Sequence, residues 1–197
     1  MIDVPPGQVA AVVTFLEMRK RPPVRPLPNV PLRLARWKSP DSGKYRALFK
    51  RVGEKWLWFT RLAMDDAALM TIIHDPAVEI YAVLDPKGIE VGLIELDFRT
   101  PPDCRIALFA LIPELTGKQL GRWMMAQVMM IGWRKGVERL TVHNCTLDHP
   151  SALGFYQAQG FVAYDRKVEM FADPRLTGML PRSAAPQIPL LDPASRA

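Results

Sequence analysis

Ile106-Ala107-Leu108-Phe109-Ala110-Leu111-Ile112-Pro113-Glu114-Leu115-Thr116-Gly117-Lys118-Gln119-Leu120-Gly121-Arg122 joins an apolar run of strand length to the start of a long apolar helix. Pro113 closes the run, and a polar turn holding Gly117 leads into the helix near Gly121. The first turn of such a helix leaves backbone N–H groups without partners. Together with the positive end of the helix dipole they favour an anion, most often a phosphate. Glycine suits the turn because it has no Cβ to hold a ligand off the backbone. By itself Gly-x-x-x-Gly at a helix start is more often ordinary capping or packing.

Outward from this unit the pattern continues with a second strand, Arg139-Leu140-Thr141-Val142-His143, and the segment Asn144-Cys145-Thr146-Leu147-Asp148-His149-Pro150-Ser151-Ala152-Leu153-Gly154-Phe155-Tyr156-Gln157-Ala158-Gln159-Gly160-Phe161. The spacing Pro150-x-Ala152-x-x-x-Tyr156-x-x-x-Gly160-Phe161 behind a strand resembles the second half of the GNAT superfamily of acyl-CoA-dependent N-acetyltransferases. The phosphate turn of that family reads Arg/Gln-x-x-Gly-x-Gly/Ala, and this chain offers Thr116-x-x-Gln119-x-Gly121. Thr116 stands in place of the long polar residue and Gln119 in place of the middle glycine. His149 replaces the usual asparagine before the second helix. The resemblance covers about residues 77 to 170 and is thin before that.

The fold implied is α/β with a mixed sheet: antiparallel strands first, then two parallel strands that splay apart, with helices on both faces. Acetyl-CoA would lie in the gap as co-substrate. Its pantetheine arm would meet the backbone of Phe109, Ala110, Leu111 and Ile112. Its pyrophosphate would sit on Thr116, Gly117, Lys118, Gln119, Leu120, Gly121 and Arg122, with His149 and Tyr156 bordering the cofactor. The resemblance also puts Tyr156 at the departing sulfur and a backbone N–H near Ala110 or Leu111 at the oxyanion. A small-molecule amine acceptor would be bordered by Trp56, Trp58 and His143, although for tryptophan the edge of the core is as good an explanation.

The chemistry implied is attack of an amine on a thioester. Freeing the lone pair of an alkyl ammonium of pKa about 10.4 costs about 4.6 kcal/mol at pH 7, against about 1.4 kcal/mol for an α-amino group near 8. A base therefore matters most for a lysine-like acceptor. In Val91 to Phe98, strand alternation puts Leu93, Glu95 and Asp97 on one face. Two carboxylates about 7 Å apart raise one another's pKa where water is excluded. Glu95 is the expected base and Asp97 its alternate. His143 and His149 are further acid or base candidates, with a structural role at a strand end or cap the simpler reading. An acyl-CoA-binding module without turnover is the competing class, suggested by Thr116 and Gln119.

The rest of the chain sets bounds. A length of 197 residues, 49% of them hydrophobic, suits one domain with appendages. Residues 1–31 read as a strand at Gln8–Met18, expected at a sheet edge, and a connector from Arg19 to Pro31 with five prolines and four basic residues. Residues 32–172 form the expected acyltransferase domain, and 173–197 an irregular proline-rich tail, disordered or laid across a partner subunit. Within the domain, Leu32 to Trp37 alternates as a strand. Ser39 or Asp41 can cap a helix through Tyr45, Leu48, Phe49 and Val52, and a second helix runs from Met64 to His74. Val78–Leu84 and Val91–Phe98 read as a hairpin. The long helix is expected from Thr116 or Gly117 to Lys135, and Asp148 or Ser151 as the cap of the next.

Residues 1 to 61 carry 13 Lys or Arg against four Asp or Glu, so +9 of the net +6 lies there and the remainder sums to −3. A solvated basic face accounts for this. No helix-turn-helix, arginine-rich arm or aromatic platform supports a nucleic-acid partner. No apolar run reaches the roughly 18 to 20 residues of a membrane span, and the start does not read as a secretory signal. A cytoplasmic protein with two reduced thiols, Cys104 and Cys145, and no metal is expected. The edge strand and tail make a homodimer reasonable.

Overall fold

A computed structural model describes residues 1–23 and 29–196; five residues of the connector, 24–28, lie outside the described residues. The strands are β1 (Gln8–Met18), β2 (Arg33–Trp37), β3 (Val78–Leu84), β4 (Glu90–Asp97), β5 (Asp103–Leu111), β6 (Arg139–Cys145) and β7 (Val162–Ala172), and the helices α1 (Ser42–Gly53), α2 (Asp66–Ile73), α3 (Leu120–Gly132) and α4 (Ala152–Ala158). They form one seven-stranded sheet in the order β2-β3-β4-β5-β6-β1-β7. Every neighbouring pair is antiparallel except β5 and β6. The mixed α/β architecture is the one expected.

The two faces of the sheet carry different helices. Tyr45 of α1 reaches Glu95 of β4, and Arg105 of β5 reaches Asp97 on the same face. Cys104, one residue earlier in β5, must point the opposite way; a Cβ placed on Gly132 of α3 would lie 3.5 Å from its sulfur and 2.8 Å from Leu140. So α1 covers one face and α3 the other, with a continuous core between them that includes Phe49, Leu93, Leu96, Met124 and Leu140. Asp41 caps α1 by accepting from the Lys44 N–H, as expected, and Asp65 does the same for α2 through Ala68.

Four sequence expectations are corrected. β1 is not an edge strand. It inserts between β6 and β7, with pairs such as Phe15 to His143 on one side and Phe15 to Asp165 on the other. The edges are β2 and β7, and β7 is almost wholly exposed along its length. α3 begins at Leu120, because Gly117 (φ 76°) and Gln119 (φ 61°) are left-handed and hold the chain out of the helix; it also stops at Gly132, short of Lys135. Neither Asp148 nor Ser151 caps α4 with its side chain. Asp148 is engaged by the Cys145 and Asn144 N–H groups and the Trp58 indole.

The tail is the fourth correction. It is irregular, as expected, but it folds on its own chain. Leu180, Ala184 and Ala185 are buried against Val9 of β1 and Leu57. Arg175, 3% exposed, forms a two-armed ion pair with Asp173 and donates to the carbonyls of Ala184, Ala185 and Ile188. A buried guanidinium needs every N–H answered, and these carbonyls do so by wrapping the tail around it.

Candidate active site

β5 and β6 run side by side for only four pairs, Asp103 with Arg139 to Ile106 with Val142. Beyond Ile106, β5 continues to Leu111 and β6 to Cys145 without pairing. On its other side β5 stays bonded to β4, with an irregularity near Ala107. The Ile112 N–H donates to Val91 at 2.9 Å. Successive N–H groups of a strand alternate sides, so those of Leu111 and Phe109 turn away from β4 toward the gap. A cavity of about 580 Å³ fills this gap and passes between the two faces of the sheet.

On the α3 face the cavity is bounded by the turn before α3. Backbone N–H groups from Gly117 through Gly121 donate to no acceptor among the described residues. Five consecutive unanswered amides at a helix start form an anion cradle. Thr116 is turned inward, its hydroxyl donating to the Pro113 carbonyl at 2.7 Å. Gln119 takes the left-handed conformation that a glycine would adopt without cost, so the backbone path survives the substitution. Beside the cradle a second cavity is lined by Asn29, Val30, Gly117, Lys118, Gln119 and Arg122. Lys118 and Arg122 supply positive charge there.

Tyr156 of α4 lines the cavity. Its ring meets Phe109 at 6.2 Å, Phe155 at 5.6 Å and Phe161 at 5.9 Å, each edge to face. The hydroxyl makes no hydrogen bond among the described residues, and the residue lines the cavity. Burial, helped by the Asp148 carboxylate, pushes its pKa well up. Tyr156 is therefore a protonated donor at neutral pH. His149 lines the cavity against Trp56, 5.3 Å between rings, with its Nδ1 near the Ser151 hydroxyl.

The other mouth opens on the α1 face. Trp56, Trp58, Phe59 and Phe171 make its apolar wall, and Arg61, Arg105, His143 and Glu169 its polar one. Trp58 is fixed by its indole N–H donating to Asp148 at 2.9 Å. His143 lines this mouth, and partial desolvation there lowers its pKa from the ordinary value.

The structure brings Tyr156, His149, His143, Trp56, Trp58 and the residues of β5 and the phosphate turn to one cavity, but Lys118 borders only the adjoining one and Leu120 and Ile112 neither. It does not bring Glu95 or Asp97 there. Glu95 is fully buried, accepting from the Tyr45 hydroxyl and from Arg61, each at 2.5 Å. Asp97 departs from the expected raised pKa. Burial pushes it up, but Arg99 and Arg105 outweigh burial and hold it at about 2. Sequence reading missed Arg61, Arg105 and Asp148 as parts of the site. Only the fold brings Arg61 to Glu95, and Asp148 reads locally as a cap.

The family model of the GNAT acetyltransferases matches residues 45–161. The chain belongs to the GNAT acetyltransferase family. Solved structures similar to it include GCN5-related N-acetyltransferases from Sphaerobacter thermophilus (15% identity, 85% of this chain and 52% of that one, TM-score 0.56) and Kribbella flavida (13%, 87% and 63%, 0.51). A third is an aminoglycoside acetyltransferase from an uncultured soil metagenomic sample (17%, 72% and 95%, 0.56). At these identities the likeness speaks for the fold, and the chain spans about half to two thirds of the first two proteins. No curated protein matches the sequence. Among the described residues no helix is long and apolar enough to cross a membrane, and no cluster of three or more His, Cys, Asp or Glu is placed to hold a metal.

Proposed function

We propose that this GNAT acetyltransferase moves an acetyl group from acetyl-CoA to a primary amine by direct attack. The observation that carries the reading is the gap between β5 and β6, with unanswered amides from Gly117 to Gly121 at one end and the unbonded hydroxyl of Tyr156 inside. Pyrophosphate on the cradle, with Lys118 and Arg122 beside it, leaves pantetheine to run along Phe109 to Leu111.

The thioester carbonyl then meets the inward N–H of Leu111, which stabilises the oxyanion formed when the amine attacks. Collapse of that adduct breaks the C–S bond. Tyr156 donates a hydrogen bond to the departing thiolate. A phenol with a raised pKa stabilises the sulfur anion rather than giving it a proton outright. His143, on the cavity wall, takes the amine proton, directly or through water. Glu95 acts one step back, as the carboxylate that holds Arg61 on the cavity wall.

The test is thermal unfolding with and without acetyl-CoA and free CoA. At a hundred times the dissociation constant, linkage gives about 2.7 kcal/mol of stabilisation, followed by acetylation of an amine panel. Absence of any shift at rising ligand overturns the cofactor assignment. Binding without turnover over the whole panel would favour an acyl-CoA-binding module. A homodimer is supported by the exposed edge of β7, where Val162, Tyr164, Val168 and Met170 are all in water. Antiparallel pairing of two copies about Arg166 would set Asp165 against Lys167 and Tyr164 against Val168. Light scattering of the purified chain decides it.

A further inference from the structure

We infer that the α1-face mouth of the cavity is a carboxylate site, and that the acceptor is an amine which also carries a carboxylate on a flat apolar body, the chemistry of an aromatic α-amino acid. The proposal rests on the acetyltransferase reading only for its amine half.

Asp97 is already satisfied without Arg105. Arg99 alone gives it a backbone N–H, the Nε–H and an Nη2–H, covering both carboxylate oxygens. Arg105 adds one further Nη2 bond and leaves Nε and Nη1 with no acceptor among the described residues. Its side chain is 48% exposed and the residue lines the cavity. Arg61 is similar. It spends Nη2 on Glu95 and Nε on the Tyr45 hydroxyl, and Nη1 donates to nothing described. Glu95 and Tyr45 hold it rigidly, so little is lost in ordering it when a ligand arrives. Arg61, Arg99 and Arg105 balance Glu95, Asp97 and Glu169 in charge, so what this wall offers a carboxylate is the unanswered guanidinium N–H groups of Arg61 and Arg105.

Guanidinium N–H pairs are the fork that planar carboxylates match. Around them, Trp56, Trp58, Phe59 and Phe171 offer flat apolar surface for the ligand body. The acids that line the same cavity are Asp148 and Glu169, countercharges for an ammonium at the other end of a zwitterion. An acceptor with an α-amine also needs the least help to lose its proton.

The experiment uses the full chain saturated with CoA, and 3-phenylpropionate as a probe with a carboxylate but no amine. Binding is read by the intrinsic fluorescence of the chain, to which Trp56 and Trp58 contribute among its five tryptophans. We expect saturable binding that Arg105→Met weakens about tenfold or more and Arg105→Lys weakens less, with CoA affinity unchanged. In parallel, kcat/KM for L-phenylalanine should exceed that for phenethylamine about tenfold or more. Absence of probe binding, or equal binding by Arg105→Met, overturns the carboxylate site even where amines are acetylated. Phenethylamine turned over as well as phenylalanine overturns the acceptor class. Probe binding that depends on Arg105, without acetylation of any amine, upholds the carboxylate site and removes the transferase reading instead.

Discussion

In the turn before α3 the groups left open to the cavity are backbone amides of five consecutive residues, Gly117 to Gly121. On the wall at the α1 face they are side chains gathered from afar: Arg61 meets Glu95 across 34 residues, and Tyr45 meets it across 50. The two regions lie on opposite faces of one sheet and are joined by one cavity. A site made of backbone tolerates a change of side chain as long as the φ angles survive. A site made of paired side chains depends on each member.

The largest expected effect tests that dependence. Glu95→Ala should cost about 3 kcal/mol or more in urea unfolding, because Arg61 is left as a half-answered charge in a closed setting. Arg61 would also lose its hold on the cavity wall. A loss below about 1 kcal/mol would mean that the pair is not rigid and the comparison fails on that side.

Next comes the cavity wall at Tyr156, where Tyr156→Phe removes one hydroxyl and no packing. A fall of about a hundredfold in kcat, about 2.7 kcal/mol, is expected with CoA affinity unchanged. An unchanged kcat would return Tyr156 to a purely structural place among Phe109, Phe155 and Phe161.

The ion pairs of the wall at the α1 face have a pH signature. The folded pKa of Asp97 is about 2, below its ordinary 3.8, so the unfolded chain binds its proton first as pH falls. Its contribution, about 2 kcal/mol, is fully present above about pH 4 and lost as pH falls through about 2. Asp97→Asn should therefore flatten the stability profile between pH 4 and pH 2. The turn before α3 has no such titrating partner.

The smallest effect sharpens the other side. Gln119 is a non-glycine residue in the left-handed region, a strain of roughly 1 to 2 kcal/mol that glycine avoids. Gln119→Gly also frees the unfolded chain, so a net gain of about 0.5 kcal/mol is expected in denaturant unfolding, with CoA affinity equal or tighter. A large loss of affinity would show that the side chain, and not only the backbone, serves the cradle.

The legible parts of this molecule are those with local causes. Val78–Leu84 is a short, mostly apolar run that ends at the turn Asp85-Pro86-Lys87-Gly88, and it is a strand with those bounds. The order of β5, turn, α3, β6 and α4 follows from apolar periods broken by Pro113, Gly117 and Pro150. Tyr156 and the turn before α3 stand out in the sequence because their spacing within a short segment carries the pattern, and most of these residues line one cavity. The start of α3 lies several residues later than the apolar pattern implies, since nothing in the letters Gly-Lys-Gln shows that the residues on either side of Lys118 are left-handed. The placing of β1 between β6 and β7 was not legible either. Its eleven residues pair with segments more than a hundred residues away, and an edge strand and an inner strand differ only in what lies beside them.

The sequence by itself determined the periodicities, the glycine and proline breaks, and hence the strand-turn-helix unit with its amide cradle, because those depend on residues adjacent in the chain. The tertiary structure alone decided which carboxylates are free. Glu95 and Asp97 share a strand face in any reading, but Arg61, Tyr45, Arg99 and Arg105 close over them only in the folded chain, where a carboxylate taken out of water must be paired, so both are answered behind the cavity wall while Arg61 and Arg105 line it.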